Sequence, residues 1–112
     1  MNMLDNLLKL LDGPRDGAML RFGIANEYAK LEDWVQAANY AHLALEKQHD
    51  FSAAWRLLGK ALLNAGEADA ALAAYRDGIT IAEGKGDIQA AKEMKVFARR
   101  IEKAQGGDAS GG

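Results

Sequence analysis

Between Trp55 and Leu62 the chain reads Trp-Arg-Leu-Leu-Gly-Lys-Ala-Leu, and Trp55, Leu58, Gly59 and Leu62 fall on one stripe of a helix with the glycine at its centre. Glycine costs about 1 kcal/mol relative to alanine inside a helix, so its place in an apolar stripe implies that a second backbone passes close by. Two helices packed tightly into a hairpin meet that requirement. A single proline, abundant alanine and leucine, and glycines that mostly separate periodic segments extend the same reading to the whole chain, which is all-α.

The apolar spacing predicts six helices. The first, about Met3 to Leu11, carries Met3, Leu4, Leu7, Leu8 and Leu11 on one face and ends at Asp12-Gly13-Pro14, where glycine suits a left-handed turn and proline cannot continue the ladder. Asp16 is placed to cap a second helix, about Gly17 to Leu31. Asp33, with Gln36 in capping-box position, starts a third that runs to about Gln48. A fourth spans about Phe51 to Ala65 and stops at Gly66, and a fifth spans about Glu67 to Glu83 before the break at Gly84-Lys85-Gly86. Asp87 caps the last, which continues to about Lys103, and the tail over 106–112 has nothing to bury and is expected to be disordered. Connections this short make consecutive helices antiparallel neighbours.

A shift of 34 residues places Ala25 on Gly59, Tyr28 on Leu62, Asp33 on Glu67, Ala37 on Ala71, Ala44 on Gly78 and Leu45 on Ile79. Residue identity is poor across the shift, but the order of small and large side chains is kept, as a structural repeat requires where backbones meet. Residues 52–85, with Trp55, Leu58, Gly59, Leu62, Gly66, Ala71, Tyr75 and Gly78, resemble the tetratricopeptide repeat. Residues 18–51 carry the same resemblance through Ala25, Asn26, Tyr28, Asp33, Trp34, Ala37, Ala44 and Leu45. They depart from it at Arg21, where an aromatic would stand, and at Glu32, where the turn glycine would stand, while His49 and Glu83 replace the proline usual near each repeat's end.

The resemblance implies a right-handed superhelix of antiparallel helix pairs forming one domain over 1–105: a partial repeat at 3–16, full repeats at 18–51 and 52–85, and a polar capping helix at 87–103. The chain also looks like the short stand-alone tetratricopeptide proteins of bacteria. First helices of such pairs line a concave groove, which places Phe22, Asn26 and Lys30, then Arg56, Lys60 and Asn64, then Ala90, Met94 and Ala98 on it. Amide and cationic donors beside Phe22 and Met94 suit an extended or helical peptide bearing a carboxylate. The family's clamp for chaperone C-termini does not carry over: Asn26 fits, but Phe22, Leu57, Asp87 and Ala91 stand where its other polar residues would be.

Other chemistries find little support. The absence of cysteine excludes a disulfide framework and a thiolate metal site. A formal charge of −2 argues against general nucleic-acid affinity, and the basic balance of 85–103 reads as a solvated face. No apolar run approaches the ~20 residues that cross a bilayer. The N-terminus lacks the basic start of a secretory signal, so a cytoplasmic location is the expectation. His42, Glu46 and His49 share a helical arc, but without a dictated fourth ligand they read as a solvated outer face, and no metal or other cofactor is expected.

Trp34, Trp55, Tyr28 and Tyr75 are spaced as packing residues. Ser52 and Ser110, the only serines, have no nucleophile setting, and the acidic residues gather at helix starts, where carboxylates satisfy free amides. The reading is a non-enzymatic module that binds a protein or peptide, as a monomer or weak homodimer. Its rival is an assembly subunit that self-associates through the first helix, where Leu8 and Leu11 lack an earlier partner helix.

Overall fold

The computed structural model describes residues 2–106, and those residues form six α-helices and no strand. They are α1 (Met3–Leu8), α2 (Ala18–Lys30), α3 (Trp34–Lys47), α4 (Ser52–Asn64), α5 (Ala68–Lys85) and α6 (Ile88–Ala104). Each helix packs chiefly on the next in sequence, and α4 also touches α2 on one side and α6 on the other. Helices α2, α4 and α6 therefore form one layer and α3 and α5 the other. The stack is elongated, 53 × 29 × 18 Å, with a radius of gyration of 14.9 Å against about 13 Å for a compact domain of this length.

The caps explain most boundaries. Asp33 accepts from the Gln36 amide and Asp87 from the Ala90 amide, both at 3.3 Å, so these two carboxylates start α3 and α6 as expected. The reciprocal half of the capping box is missing, because the Gln36 side chain accepts from Asn39 instead. Gly66 and Gly86 take left-handed conformations (φ +87° and +80°) just past α4 and α5. The break expected over three residues lies at Gly86 alone, since Gly84 and Lys85 remain helical. From 107 onward the expected disordered tail falls outside the described residues.

Two turns depart from glycine chemistry. Helix α1 ends at Leu8, and Leu10 and Leu11 follow in tighter turns whose amides donate to Leu7 and Leu8 carbonyls. The left-handed residue there is Asp12 (φ 64°), not Gly13. Aspartate tolerates that conformation better than most residues. At the α2–α3 turn Glu32 is left-handed (φ 59°) where the second pair has Gly66. Glutamate has no such tolerance, so Glu32→Gly is expected to raise stability by about 0.5–1 kcal/mol in urea denaturation; an unchanged or lower midpoint would refute strain at this turn.

Asp16 does not cap α2. Gly17 occupies the cap position with no side-chain bond, and the Asp16 carboxylate instead receives Arg21 Nε at 3.0 Å and Nη2 at 3.1 Å, with the Asp12 amide at 3.0 Å. Arg21 also donates Nη1 to the Leu43 carbonyl at 3.2 Å, joining α2 to α3. The aromatic missing from the first repeat is thus replaced by an ion pair that ties the two helices through backbone. Its hydrogen bonds, first from Arg21 and then from the Asp12 amide, lower the Asp16 pKa from 3.8 to about 2. A depressed carboxyl stabilises the fold above its unfolded pKa and ceases to as pH falls through the folded value. The stability difference between wild type and Asp16→Asn should therefore be constant above about pH 5 and shrink from about pH 4 to 2, as followed by denaturant midpoints. A difference that persists unchanged at about pH 2 would show that Asp16 acts by shape and not by charge.

The core runs from α2 through α6, with fully buried alanines at 25, 37, 41, 44, 54, 61, 71 and 82. Gly59 is where expectation and structure differ instructively. A β-carbon there would lie 2.5 Å from Tyr75 Cε1 and 2.6 Å from Cζ, so the glycine makes room for a ring and not for a second backbone. Close helix contact occurs at Gly78, whose β-carbon would lie 2.7 Å from Trp55 Cβ, an atom fixed to the α4 backbone, and 2.6 Å from Met94 Sδ.

Candidate functional site: the α2–α4–α6 groove

The layer of α2, α4 and α6 presents two adjoining concavities. One, of about 580 Å³, is lined by Phe22, Asn26, Ala53, Arg56, Leu57, Lys60, Leu63, Asn64, Tyr75, Glu93, Phe97 and Arg100. The other, also about 580 Å³, lies towards α1 and is lined by Met3, Leu7, Gly23, Asn26, Glu27, Ala29, Lys30, Leu57 and Lys60. Asn26, Leu57 and Lys60 belong to both, so the two form one continuous surface around the middle of α4.

The structure brings Phe22, Asn26, Lys30, Arg56, Lys60 and Asn64 to this surface. Their four-residue spacing on α2 and α4 puts each set on one face. Met94 is a correction: it is fully buried, with its sulfur against Gly78, and Ala98 is buried beside it. Ala90 packs half-buried against the core. The residues of α6 that face the groove are Glu93, Phe97 and Arg100. Helices α2 and α4 begin 34 residues apart, at Ala18 and Ser52, but α6 begins 36 residues after α4, at Ile88. Helix α5 runs on through Gly84 and Lys85, and a constant shift of 34 therefore misplaces the face of α6.

Leu57, Tyr75 and Phe97 are further lining residues that spacing alone did not mark. Phe97 stacks on Tyr75 with ring centroids 5.6 Å apart, so α6 and α5 together form an aromatic floor. Burial pushes the Tyr75 phenol up to about 12, partly opposed by the Arg56 charge. Phe22 packs on Phe51 at 4.8 Å and borders the same floor. Each apolar element thus comes from a different helix, and only the packed layer assembles them.

The polar groups differ in what already holds them. Arg56 Nη1 donates to Glu93 Oε1 at 2.6 Å, bridging α4 and α6. Lys30 pairs with Glu27 at 2.8 Å. Lys60 Nζ lies 5.8 Å from the centre of the Trp34 ring, and the Arg100 guanidinium 5.6 Å from that of Phe97. Among the described residues neither Lys60 nor Arg100 has a carboxylate in ion-pair contact. Asn64 donates Nδ2 to the Lys60 carbonyl at 2.8 Å, which leaves its amide oxygen for another donor.

Away from the groove, His49 meets Trp55 edge-on at 5.4 Å, and its carbonyl accepts the indole N–H at 2.8 Å. No three histidine or acidic side chains among the described residues are grouped to hold a metal ion. No described helix is long and apolar enough to cross a membrane.

No protein-family profile matches the chain. A TPR repeat-containing protein of Pseudomonas aeruginosa is 39% identical over 103 residues, covering 92% of this chain and 98% of its own. Among solved structures, a Bordetella parapertussis protein matches with a TM-score of 0.81 at 32% identity, covering 93% of this chain and 90% of that one. A tetratricopeptide repeat domain protein of Salinibacter ruber shares the fold with a TM-score of 0.73 at 23% identity, covering 82% of this chain and 92% of that one. With one sequence relative matched along nearly its full length and the helix stack seen in these structures, the chain belongs to the tetratricopeptide repeat family, whose members generally mediate protein–protein interaction.

Proposed function

We propose that this protein is a non-enzymatic interaction module whose groove binds an acidic segment of a partner protein in extended or helical form. The observation that carries the reading is the placement of Lys60 and Arg100, without carboxylate partners among the described residues, beside an aromatic and aliphatic floor of Phe22, Leu57, Tyr75 and Phe97. A carboxylate on the ligand gains a charge-assisted hydrogen bond from either cation, and a neighbouring apolar residue gains burial on the floor. The Asn26 side-chain amide adds a donor and the Asn64 amide oxygen an acceptor, both of which suit the ligand backbone.

The test is fluorescence anisotropy with a capped, labelled peptide in which one glutamate is flanked by leucines. Lys60→Glu is expected to weaken binding at least tenfold, since an attractive contact becomes a repulsive one, with helicity by circular dichroism unchanged. Equal affinity of wild type and Lys60→Glu would remove the reading. The arginine carries less weight in this test, because charge reversal at Arg56 also breaks its pair with Glu93.

Self-association is the second reading, favoured by a specific observation at the N-terminal end. Met3, Met19, Leu31 and Val35 are each more than half exposed there (58%, 70%, 64% and 63%), while Leu8 and Leu11 are half-covered. Sedimentation equilibrium separates the two: a molecular mass independent of concentration leaves no place for assembly through this end.

A further inference from the structure

The groove holds an acidic residue of its own at one of its cations. Glu93 projects from α6 onto Arg56 of α4, their charged atoms 2.6 Å apart, and both residues line the same cavity as Lys60. We propose that Glu93 is a specificity-determining residue: it occupies Arg56 as an internal counter-ion, so that of the two α4 cations only Lys60 is open to a ligand carboxylate, and a second carboxylate placed to reach Arg56 gains nothing. The proposal rests on the reading of the groove as a site for acidic segments.

Three observations lead to it. Arg56 and Lys60 stand one helical turn apart on the same face of α4, their β-carbons about 6 Å apart. Side chains on alternate residues of an extended peptide are spaced by nearly the same distance, about 6.6 Å, so a Glu-X-Glu ligand could address both cations at once. Second, the two cations are in different states. Lys60 rests beside the Trp34 ring with no carboxylate among the described residues, whereas Arg56 is already paired.

The third is exposure. The Arg56 and Glu93 side chains are 44% and 39% exposed, and ion pairs of that kind contribute little to folding. The pair is therefore a weak device for holding α4 to α6, but a carboxylate fixed beside Arg56 still sets the charge that an anionic ligand meets there. It neutralises the guanidinium and repels a second ligand carboxylate approaching it. Removing the charge while keeping the shape, as Glu93→Gln does, exposes Arg56 to the ligand.

The experiment compares two capped, labelled peptides identical except for one residue, Glu-X-Glu and Glu-X-Gln, in anisotropy titrations against wild type, Glu93→Gln and Lys60→Glu. Wild type is expected to bind both peptides with equal affinity. Glu93→Gln is expected to prefer Glu-X-Glu by about fivefold, the scale of one partly exposed ion pair, with its melting temperature unchanged. Lys60→Glu should lose both peptides. If wild type already prefers Glu-X-Glu as strongly as Glu93→Gln does, the role of Glu93 is refuted and the groove reading stands. If Glu93→Gln binds the two peptides equally, the role of Glu93 is likewise refuted. If wild type and Glu93→Gln bind neither peptide, the groove reading fails and the role of Glu93 fails with it.

Discussion

Tyr75→Ala is expected to lose about 3–5 kcal/mol of folding stability, a large part of the 5–15 kcal/mol typical of a domain. The ring is buried between α4 and α6, with Gly59 on one side and the stacked Phe97 on the other. Gly59, directly beside the ring, has no side chain with which to fill the space. The same geometry makes Gly59→Ala destabilising by about 1–3 kcal/mol, even though alanine is the better helix former by about 1 kcal/mol. Once the ring is gone the propensity is all that remains, and Gly59→Ala in a Tyr75→Ala background should become stabilising.

The first helix pair already uses that solution: Ala25 and Ala41, at the positions equivalent to Gly59 and Tyr75, are both fully buried. A four-protein cycle in urea reads the reversal directly. Equal destabilisation by Gly59→Ala in both backgrounds would show that the glycine serves something other than the ring. The tyrosine adds a pH signature. Its pKa, raised from 10.0 to about 12 by burial, means that Tyr75 stabilises the fold below the unfolded value and loses that contribution as pH rises through about 12.

The second large effect is at Gly78. Its β-carbon would sit 2.6 Å from Met94 Sδ and 2.7 Å from Trp55 Cβ. The methionine can change rotamer, but Trp55 Cβ is fixed to the α4 backbone, and its indole is held by the His49 carbonyl. Gly78→Ala must therefore push α4 and α5 apart, and a loss of about 2 kcal/mol or more is expected in thermal or urea unfolding. Trp55→Ala offers no rescue, because alanine keeps the β-carbon that clashes. Restoration by Trp55→Ala would place the conflict at the indole and overturn this account. Ala44 fills the equivalent position of the first pair with no exposure, so that pair is built to hold a methyl there.

These two glycines also show how far a chain can be read without its fold. Gly59 was marked by its place in an apolar stripe, and a close approach does occur there, but by the Tyr75 ring sixteen residues away and not by backbone. Asp33 and Asp87 were legible as caps because cap and amide lie three residues apart. Asp16 looked the same and does something else, since its partner Arg21 is held in place by Leu43 on another helix.

The groove divides along the same line. On α2 and α4 the four-residue spacing of Phe22, Asn26 and Lys30 and of Arg56, Lys60 and Asn64 placed each set on the concave side. On α6 it did not, because Glu93 and Phe97 stand 37 residues after Arg56 and Lys60. A slip of three residues from the 34-residue shift turns a helix face by about 60°, enough to move Met94 into the core and bring Glu93 to Arg56. Helix content and the Asp33 and Asp87 caps depend on residues within a few positions of one another, and the chain alone determined them. Which side chains meet across the groove depends on where one helix starts relative to the helix beside it, and only the packing of α5 against α4 and α6 decided that.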